Sequence, residues 1–462
     1  MLNILNVSMV TTSFRFITVE MGKGNAEEVN KVFNISLVLH ACLALLVILL
    51  AETVGIYYIR HFLNVPADRI SDAIFVFRFS VLAAIFSISS VPFQGLITSQ
   101  EQFSVRSLID VISALLRLAA AISLLYHETN RLRLYSVLTT LAIALTSILY
   151  ISYCYKKYRA IICWNFQSDR SRYKEMVGFS GWMTIEACAS MGKVQGAALI
   201  INVFFGTVIN ASFGIANQIS SLLSMFSQNL SQAAIPQITK SYSGGNSDRS
   251  MQLACYVNKY SFFLMLLPAL PILLETSFLL NLWLDQVPEY TRIFCQLVVI
   301  NTLAGCLGEA LPTVVQATGK IKYFQIILST AMLLSLPMAY LLFRLKFPPY
   351  SILIVNILIM LTINLVIFPV LLKRLIHFDI KKLFNLSYLK IFYVVLLVSP
   401  LFILKNIYPE GLVRFVFLSI AAMIWLLVVV YFVGIESDEK KLVCSMLSRF
   451  CNKWYQITFK SK

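Results

Sequence analysis

Long apolar runs recur along this chain from end to end, and no other feature constrains its fold so strongly. A run of about 20 residues is long enough to cross a hydrocarbon core of about 30 Å as a helix. Such runs fall near residues 1–19, 32–59, 71–97, 105–126 and 134–155. After a polar, basic gap they resume near 178–205, 211–236, 256–282, 291–317, 323–345, 350–372, 389–407 and 413–434. Of the 462 residues, 58% are hydrophobic and only 13% are charged, where soluble domains carry about 25% charge. That leaves too little polar surface to cover a soluble body of this size. The sequence therefore predicts an all-α polytopic membrane protein with roughly thirteen transmembrane helices. No cleavable signal peptide is read, since the opening run holds Arg15 and Glu20 and lacks a small-residue cleavage site.

The second constraint is an internal repeat near half the chain length. Ile17-Thr18 returns as Ile238-Thr239, and Gly24-Asn25 returns as Gly245-Asn246, both 221 residues later. Further matches follow at nearly the same spacing: Glu52-Thr53 with Glu275-Thr276, Val65-Pro66 with Val287-Pro288, Pro92 with Pro312, and Thr98 with Thr318. Repeats of this kind in a helical membrane protein predict two copies of one bundle around a cavity. The helix near 178–205 opens the second copy, and its partner in the first would precede residue 1. The expected plan is two pseudo-symmetric six-helix bundles, the first helix of the N-terminal bundle missing, plus two C-terminal helices. It divides the chain into 1–155 (N-terminal bundle), 156–177 (linker), 178–372 (C-terminal bundle), 373–434 (two additional helices) and 435–462 (basic tail). The missing helix raises an inactive, truncated remnant as one expectation.

The formal charge of +16 is spread between spans rather than gathered in one patch, which argues against nucleic acid and for the positive-inside rule. One set of loops holds Lys23 and Lys31, then Lys156, Lys157, Arg159, Arg170, Arg172 and Lys174, then Lys240, Arg249 and Lys259, then later pairs. The alternate loops hold far fewer. The dense set, the linker and the C-terminus are expected in the cytoplasm. Ser437 to Trp454 places Leu442, Val443, Met446, Leu447, Phe450 and Trp454 on one helical face amid lysines, a pattern suited to an interfacial helix on anionic lipid. A frayed basic tail is the plain alternative.

The nine cysteines form no CxxC pair and the four histidines are scattered, so neither a metal site nor a disulfide framework is predicted, and no cofactor. Interest falls on polar residues inside spans, where they are costly and face protein or water. Asn217, Ser221, Ser224, Gln228 and Ser231 recur at helical spacing and predict a cavity-lining face, or else helix–helix glue. Arg15, Arg78, Arg117 and Lys193 lie in or near spans. A guanidinium there suits a phosphate, binding two oxygens while staying charged; snorkelling to the interface is the alternative for Arg15. Glu186, Glu309 and Asp110 are candidates for coupling a proton or cation, or for balancing those positive charges. Glu52 and Glu275, near span ends, read as structural. Pro92 and Pro312 repeat inside spans and suggest matched hinges for alternating access, or else static kinks.

Several ordered stretches carry a family resemblance. FGIANQISSLLSMFSQNLSQAAIPQITKSYSGGN (Phe213–Asn246), PILLE, LWLDQVPEYT and VVQATGKIKYFQI are matched in the first half by RFITVEMGKGN, VNKVF, LLAETVGIYYI, LNVPADR and SVPFQ. Together they resemble the polysaccharide flippases of the multidrug/oligosaccharidyl-lipid/polysaccharide exporter superfamily, which is MATE-like. The resemblance implies a transporter, not an enzyme, which moves an undecaprenyl-diphosphate-linked oligosaccharide across the bacterial inner membrane for O-antigen, capsule or exopolysaccharide synthesis. It implies alternating access, with Arg15, Arg78, Arg117 and Lys193 as the basic residues facing the diphosphate. Implied partners are membrane lipids, H+ or Na+ as coupling ion, a polysaccharide polymerase and a chain-length regulator. A cation-coupled multidrug antiporter and a peptidoglycan-precursor flippase of the same superfamily are the sister expectations.

Overall fold

The computed structural model describes residues 2–61, 66, 69–126, 130–376, 378–404, 410–436 and 439–440. The predicted amphipathic segment from Ser437 to Trp454 lies almost wholly outside them. Among the described residues every regular element is helical. In chain order the main ones are α1 (Leu2–Gly22), α2 (Ala26–His61), α3 (Ile70–Ser99), α4 (Phe103–Ser123), α5 (Arg131–Lys157), α6 (Arg170–Ser243) and α7 (Ser247–Leu274). There follow α8 (Thr291–Cys306), α9 (Leu311–Thr318), α10 (Lys322–Arg344), α11 (Ser351–Ile376), α12 (Ile380–Ile403) and α13 (Leu412–Gly434).

The repeated Gly-Asn pair explains why the chain turns where it does. Gly24 (φ +74°) and Gly245 (φ +87°) take the left-handed conformation that ends a helix and that glycine adopts without strain. In the first copy, Gly24 N–H donates to Met21 O and Asn25 N–H to Glu20 O. In the second, Gly245 N–H donates to Tyr242 O and Asn246 N–H to Ser241 O, the same pattern 221 residues on. The asparagine then caps the next helix: Asn25 Oδ1 accepts from Glu28 N–H at 3.2 Å and Asn246 Oδ1 from Arg249 N–H at 2.9 Å. One six-residue device therefore stops a span and starts the next in both copies.

By length and composition, ten of these helices can cross a membrane, or up to eleven if the bent pair α8 and α9 is one span. The expected thirteen differs for identifiable reasons. α6 is 74 residues long, about 110 Å if straight, and breaks at Gly206 (φ 81°, ψ −175°), in the gap expected between the runs 178–205 and 211–236. It counts once where the sequence places two spans. α1, with its serines, threonines and Arg15, is too polar to be counted.

Chain contacts divide the molecule into two compact units. Unit one holds Met1–Met191, Ile235–Ser250 and Thr313–Thr330; unit two holds Gly192–Ala234, Met251–Pro312 and Ala331–Lys462. The core of unit one gathers Phe16, Ile17, Phe33, Phe93, Leu96, Ile97 and Phe179. Unit two has one core around Phe262, Met265, Leu266, Leu270 and Val394 and another around Ile201, Phe213, Phe294 and Phe343. Large side chains such as Leu199, Val203, Phe417 and Ile424 stand exposed on helices, as lipid-facing residues do.

Candidate functional site

Each unit holds a polar cleft among its spanning helices. In unit one a cavity of about 210 Å³ opens between α3, α4 and α5. α4 supplies Asp110, Ser113 and Arg117, which fall at i, i+3 and i+7 and so share a face. Ser87, Ser90 and Gln94 of α3 and Thr146, Ser147 and Tyr150 of α5 complete it. Most of these groups satisfy each other. Tyr150 O–H donates to Asp110 Oδ1 at 3.0 Å, Gln94 Nε2 to Ser90 Oγ at 2.8 Å, and Ser147 Oγ–H to Phe86 O at 3.0 Å. Arg106 Nε stands 3.9 Å from Asp110 Oδ2. Arg117 lines the same cavity and makes no ion pair among the described residues. The expected Asp110–Arg117 face is thus present, with the acid held by a tyrosine and the guanidinium left to the cleft.

The second cleft, about 220 Å³, lies in unit two between α6, α8 and α11. Ser220, Ser224, Ser227 and Gln228 of α6 face Asn301, Thr302 and Glu309 across it. Ser220 Oγ and Thr302 Oγ1 are 2.9 Å apart. Asn301 Oδ1 is buried without a hydrogen-bond partner among the described residues. Among the described residues Glu309 is the only charged side chain that lines this cleft, and Ser227 lies beside it. The predicted polar stripe divides here. Ser224 and Gln228 reach the cleft, Ser231 is buried, and Asn217 and Ser221 do not line it, with Ser221 Oγ–H turned back to Asn217 O at 2.9 Å. Ser220 and Ser227, missed in the sequence, sit one residue to the side. A stripe drawn at i+3 and i+4 drifts from the true face over three turns.

Glu309 owes its place to a broken helix. α8 ends at Cys306 and α9 starts at Leu311 with a bend of 43°. Bare backbone at membrane depth needs partners, and two asparagines supply them. Asn364 Nδ2 donates to Ala304 O at 2.7 Å, and Asn258 Oδ1 accepts from Ala310 N–H at 2.8 Å. Tyr388 O–H in turn donates to Asn364 O at 2.6 Å. Gly308 is needed for this fit, because a β-carbon there would run into Asn364 Oδ1.

The other sequence candidates are placed as follows. Arg78 forms a two-point ion pair with Glu52, 3.0 and 2.8 Å, on an exposed surface. Arg15 is buried in unit one: Nε donates to Gln316 O at 3.1 Å and Nη2 to Ala317 O at 3.3 Å, over the rings of Phe16 and Phe179. It closes the C-terminal end of α9. The reciprocal contact exists in the same unit. Gln237 Nε2 and Lys240 Nζ, near the end of α6, donate to Glu101 in the α3–α4 turn at 2.6 and 2.7 Å. Burial pushes the Glu101 carboxyl up, but the bonds from Lys240 and Gln237 outweigh it and hold the group below its usual range. Each copy's Gly-Asn helix end thus grips the other copy's α3–α4 or α9–α10 turn, and a β-carbon on Gly22 would strike Ser243. Glu186 accepts from Gln325 Nε2 at 2.8 Å. Lys193 is half-buried in unit two, with no ion pair among the described residues.

Comparison with known proteins fits this geometry. The family model described as polysaccharide biosynthesis protein matches residues 2–279. No curated protein sequence matches the chain. Solved structures agree in fold at low identity. A MATE protein in the straight conformation is 15% identical with a TM-score of 0.73, covering 82% of this chain and 86% of that one. An outward-facing multidrug resistance MATE family transporter of the MOP superfamily is 14% identical with a TM-score of 0.72, covering 82% and 86%. A MOP superfamily transporter from Pyrococcus furiosus, described as having a binding pocket of reverse polarity, gives 14% and 0.72, covering 83% and 85%. The chain is a multi-pass membrane protein with the fold of the MATE transporters, and it belongs to the polysaccharide biosynthesis protein family.

Proposed function

We propose that the protein carries an undecaprenyl-diphosphate-linked oligosaccharide across the bacterial inner membrane, with its C-terminus in the cytoplasm, for O-antigen, capsule or exopolysaccharide assembly. The observation that carries this reading is Arg117: a guanidinium free of any ion pair among the described residues, on the wall of a polar cleft, in a MATE-fold chain of a polysaccharide family. A charged group held at membrane depth without a counter-ion is costly unless something charged visits it. A diphosphate fits a planar donor of five N–H groups. Lys193, also without an ion pair among the described residues, is the second basic candidate. Arg15 and Arg78 would have to leave protein partners to serve.

Alternating access then requires the grips at the ends of α1 and α6 to let go in one state. Glu309, alone among uncharged acceptors and donors, is the proposed coupling group for H+ or Na+. That cleft also favours the sister reading of a cation-coupled multidrug antiporter. Deleting the gene separates the two. Lipid-linked repeat units stranded on the inner leaflet, rescued by the wild-type chain but poorly by Arg117→Gln, support the flippase. Normal surface glycan with new sensitivity to cationic drugs supports the antiporter.

A further inference from the structure

The linker between α5 and α6 is held in place, and what it displays has no use within the fold. It is stapled to the first three turns of α2. Asn30 Nδ2 donates to Ile161 O at 2.7 Å and to Cys163 O at 2.8 Å, Asn34 Nδ2 donates to Cys163 O at 3.0 Å, and Asn34 Oδ1 accepts from Asn165 N–H at 3.3 Å. Ile162 is buried beneath these bonds, and Asp169 closes the far end on Lys31 at 3.1 Å. The staple sits where α2 begins, α5 ends and α6 begins, so the linker lies at the level where three helices meet the membrane surface.

Against this fixed backbone, Trp164 and Phe166 stand 61% and 64% exposed. They stand two residues apart in a non-helical stretch, both outside the buried core. The charges around them are unbalanced. Glu20, Glu28, Asp169 and Glu175 are engaged by Lys23, Lys31 and Arg172 at 3.0 to 3.5 Å, and Glu27 remains the acid outside that network. Lys156, Arg159, Arg170 and Lys174 are exposed and make no ion pair among the described residues. An indole and a phenyl ring beside four open cations form a surface with an apolar wedge and a positive rim. Tryptophan favours the headgroup layer, and basic groups there draw anionic lipid.

We propose that residues 156–174 form a docking surface for anionic phospholipid headgroups of the adjoining leaflet, with Trp164 and Phe166 inserted and Lys156, Arg159, Arg170 and Lys174 contacting phosphates. The partner is the bilayer itself, and the inference does not depend on what is transported. Its consequence is mechanical: the only segment joining the two repeats is moored to the membrane, so one repeat moves against a fixed point.

The test uses the full chain in nanodiscs that carry a minor fraction of brominated phosphatidylglycerol or brominated phosphatidylcholine in a neutral background. Trp164 emission is read as the difference from Trp164→Phe. Brominated phosphatidylglycerol should quench as though enriched about fivefold or more near the indole, the equivalent of one cation held close to an anionic surface. The preference should collapse in about 0.5 M salt, where screening is short-ranged, and in the Lys156→Gln/Arg159→Gln/Arg170→Gln/Lys174→Gln variant. Equal quenching by both lipids would overturn the headgroup preference. No quenching by either would show the aromatics facing water or another protein, and would overturn the docking surface. Should the fourfold variant fail to reconstitute, the salt titration on the wild type decides alone.

Discussion

α3 and the α8–α9 pair occupy the same place in the two copies of the repeat, yet one is a single helix and the other is broken. α3 runs unbroken from Ile70 to Ser99 through Pro92. Its counterpart stops at Cys306 and restarts at Leu311, just before Pro312. The proline is common to both, so proline alone does not break a membrane helix. The difference lies around it. Where the second copy has Gly305, Gly308 and Glu309, the first has Ile85, Ile88 and Ser89, 220 residues earlier. Where the second has Asn364 to hold the freed carbonyl of Ala304, the first has Ala144. A break needs both backbone freedom and side chains that take up the exposed polar groups. The copy that has both puts a carboxylate into a cleft; the copy that lacks both keeps its charge on the neighbouring α4.

The same divergence appears in the repeated acid. Glu52 and Glu275 correspond, but Glu52 pairs with Arg78 in the open while Glu275 pairs with Arg414 at 2.6 Å, both nearly dry. Arg414 of the additional helix α13 covers the second site, and among the described residues the first site stays open. The largest expected effect follows from this. Arg414→Met should lower stability by about 3–5 kcal/mol, the cost of stranding a buried charge, read as a shift in the thermal midpoint of the detergent-purified protein. A loss no greater than that of Arg78→Met would show that burial does not separate the two pairs.

Next come the residues that keep α8–α9 open. Gly308→Ala forces Asn364 aside, and Asn364→Leu leaves Ala304 O with only its long 3.4 Å bond from Leu307 N–H; each should cost about 1–3 kcal/mol. Ala substituted for Ile88, the matching position in α3, should leave the helix intact and act only through lost packing. If Gly308→Ala is as stable as the wild type, the break does not depend on that glycine.

The clefts themselves should respond in different currencies. Arg117→Gln should lower transport of lipid-linked substrate about tenfold or more, as expected for losing a charge-assisted hydrogen bond of about 1.5–3 kcal/mol. Glu309→Gln should instead remove dependence on the pH or sodium gradient. Loss of gradient dependence in Arg117→Gln, with Glu309→Gln unaffected, would reverse the assignment of roles.

A smaller effect is expected at Glu101. Its carboxyl lies below the usual range in the folded chain, so its bonds to Lys240 and Gln237 contribute stability at neutral pH that is lost as pH falls through its folded value. Glu101→Gln should therefore be less stable than the wild type at pH 7, and the gap should close below about pH 4, the region of an ordinary glutamate. A gap that stays constant down to pH 3 would mean the ion pair contributes nothing. Arg78→Met comes last, with the smallest loss, because solvent screens an exposed pair.

Much of this molecule is legible in its sequence. Apolar run length dictates helices, because in a bilayer each segment must satisfy its own backbone. The paired Gly-Asn turns state the repeat openly, since left-handed glycine and a capping asparagine are local requirements. Heptad spacing placed Asp110 and Arg117 on one face of α4, and the structure keeps them in one cleft. What the sequence could not disclose is which charge has a partner. Arg15 reads like Arg117, as a cation in an apolar run, but it spends its donors on Gln316 and Ala317, some 301 and 302 residues away. Glu52 and Glu275 read alike, and only the helix that covers one of them distinguishes their environments. Local pattern fixes the elements because their forces act over a few residues; the fate of a buried charge is settled by whichever distant group comes within 3 Å or so of it, and that is decided only when the chain has packed.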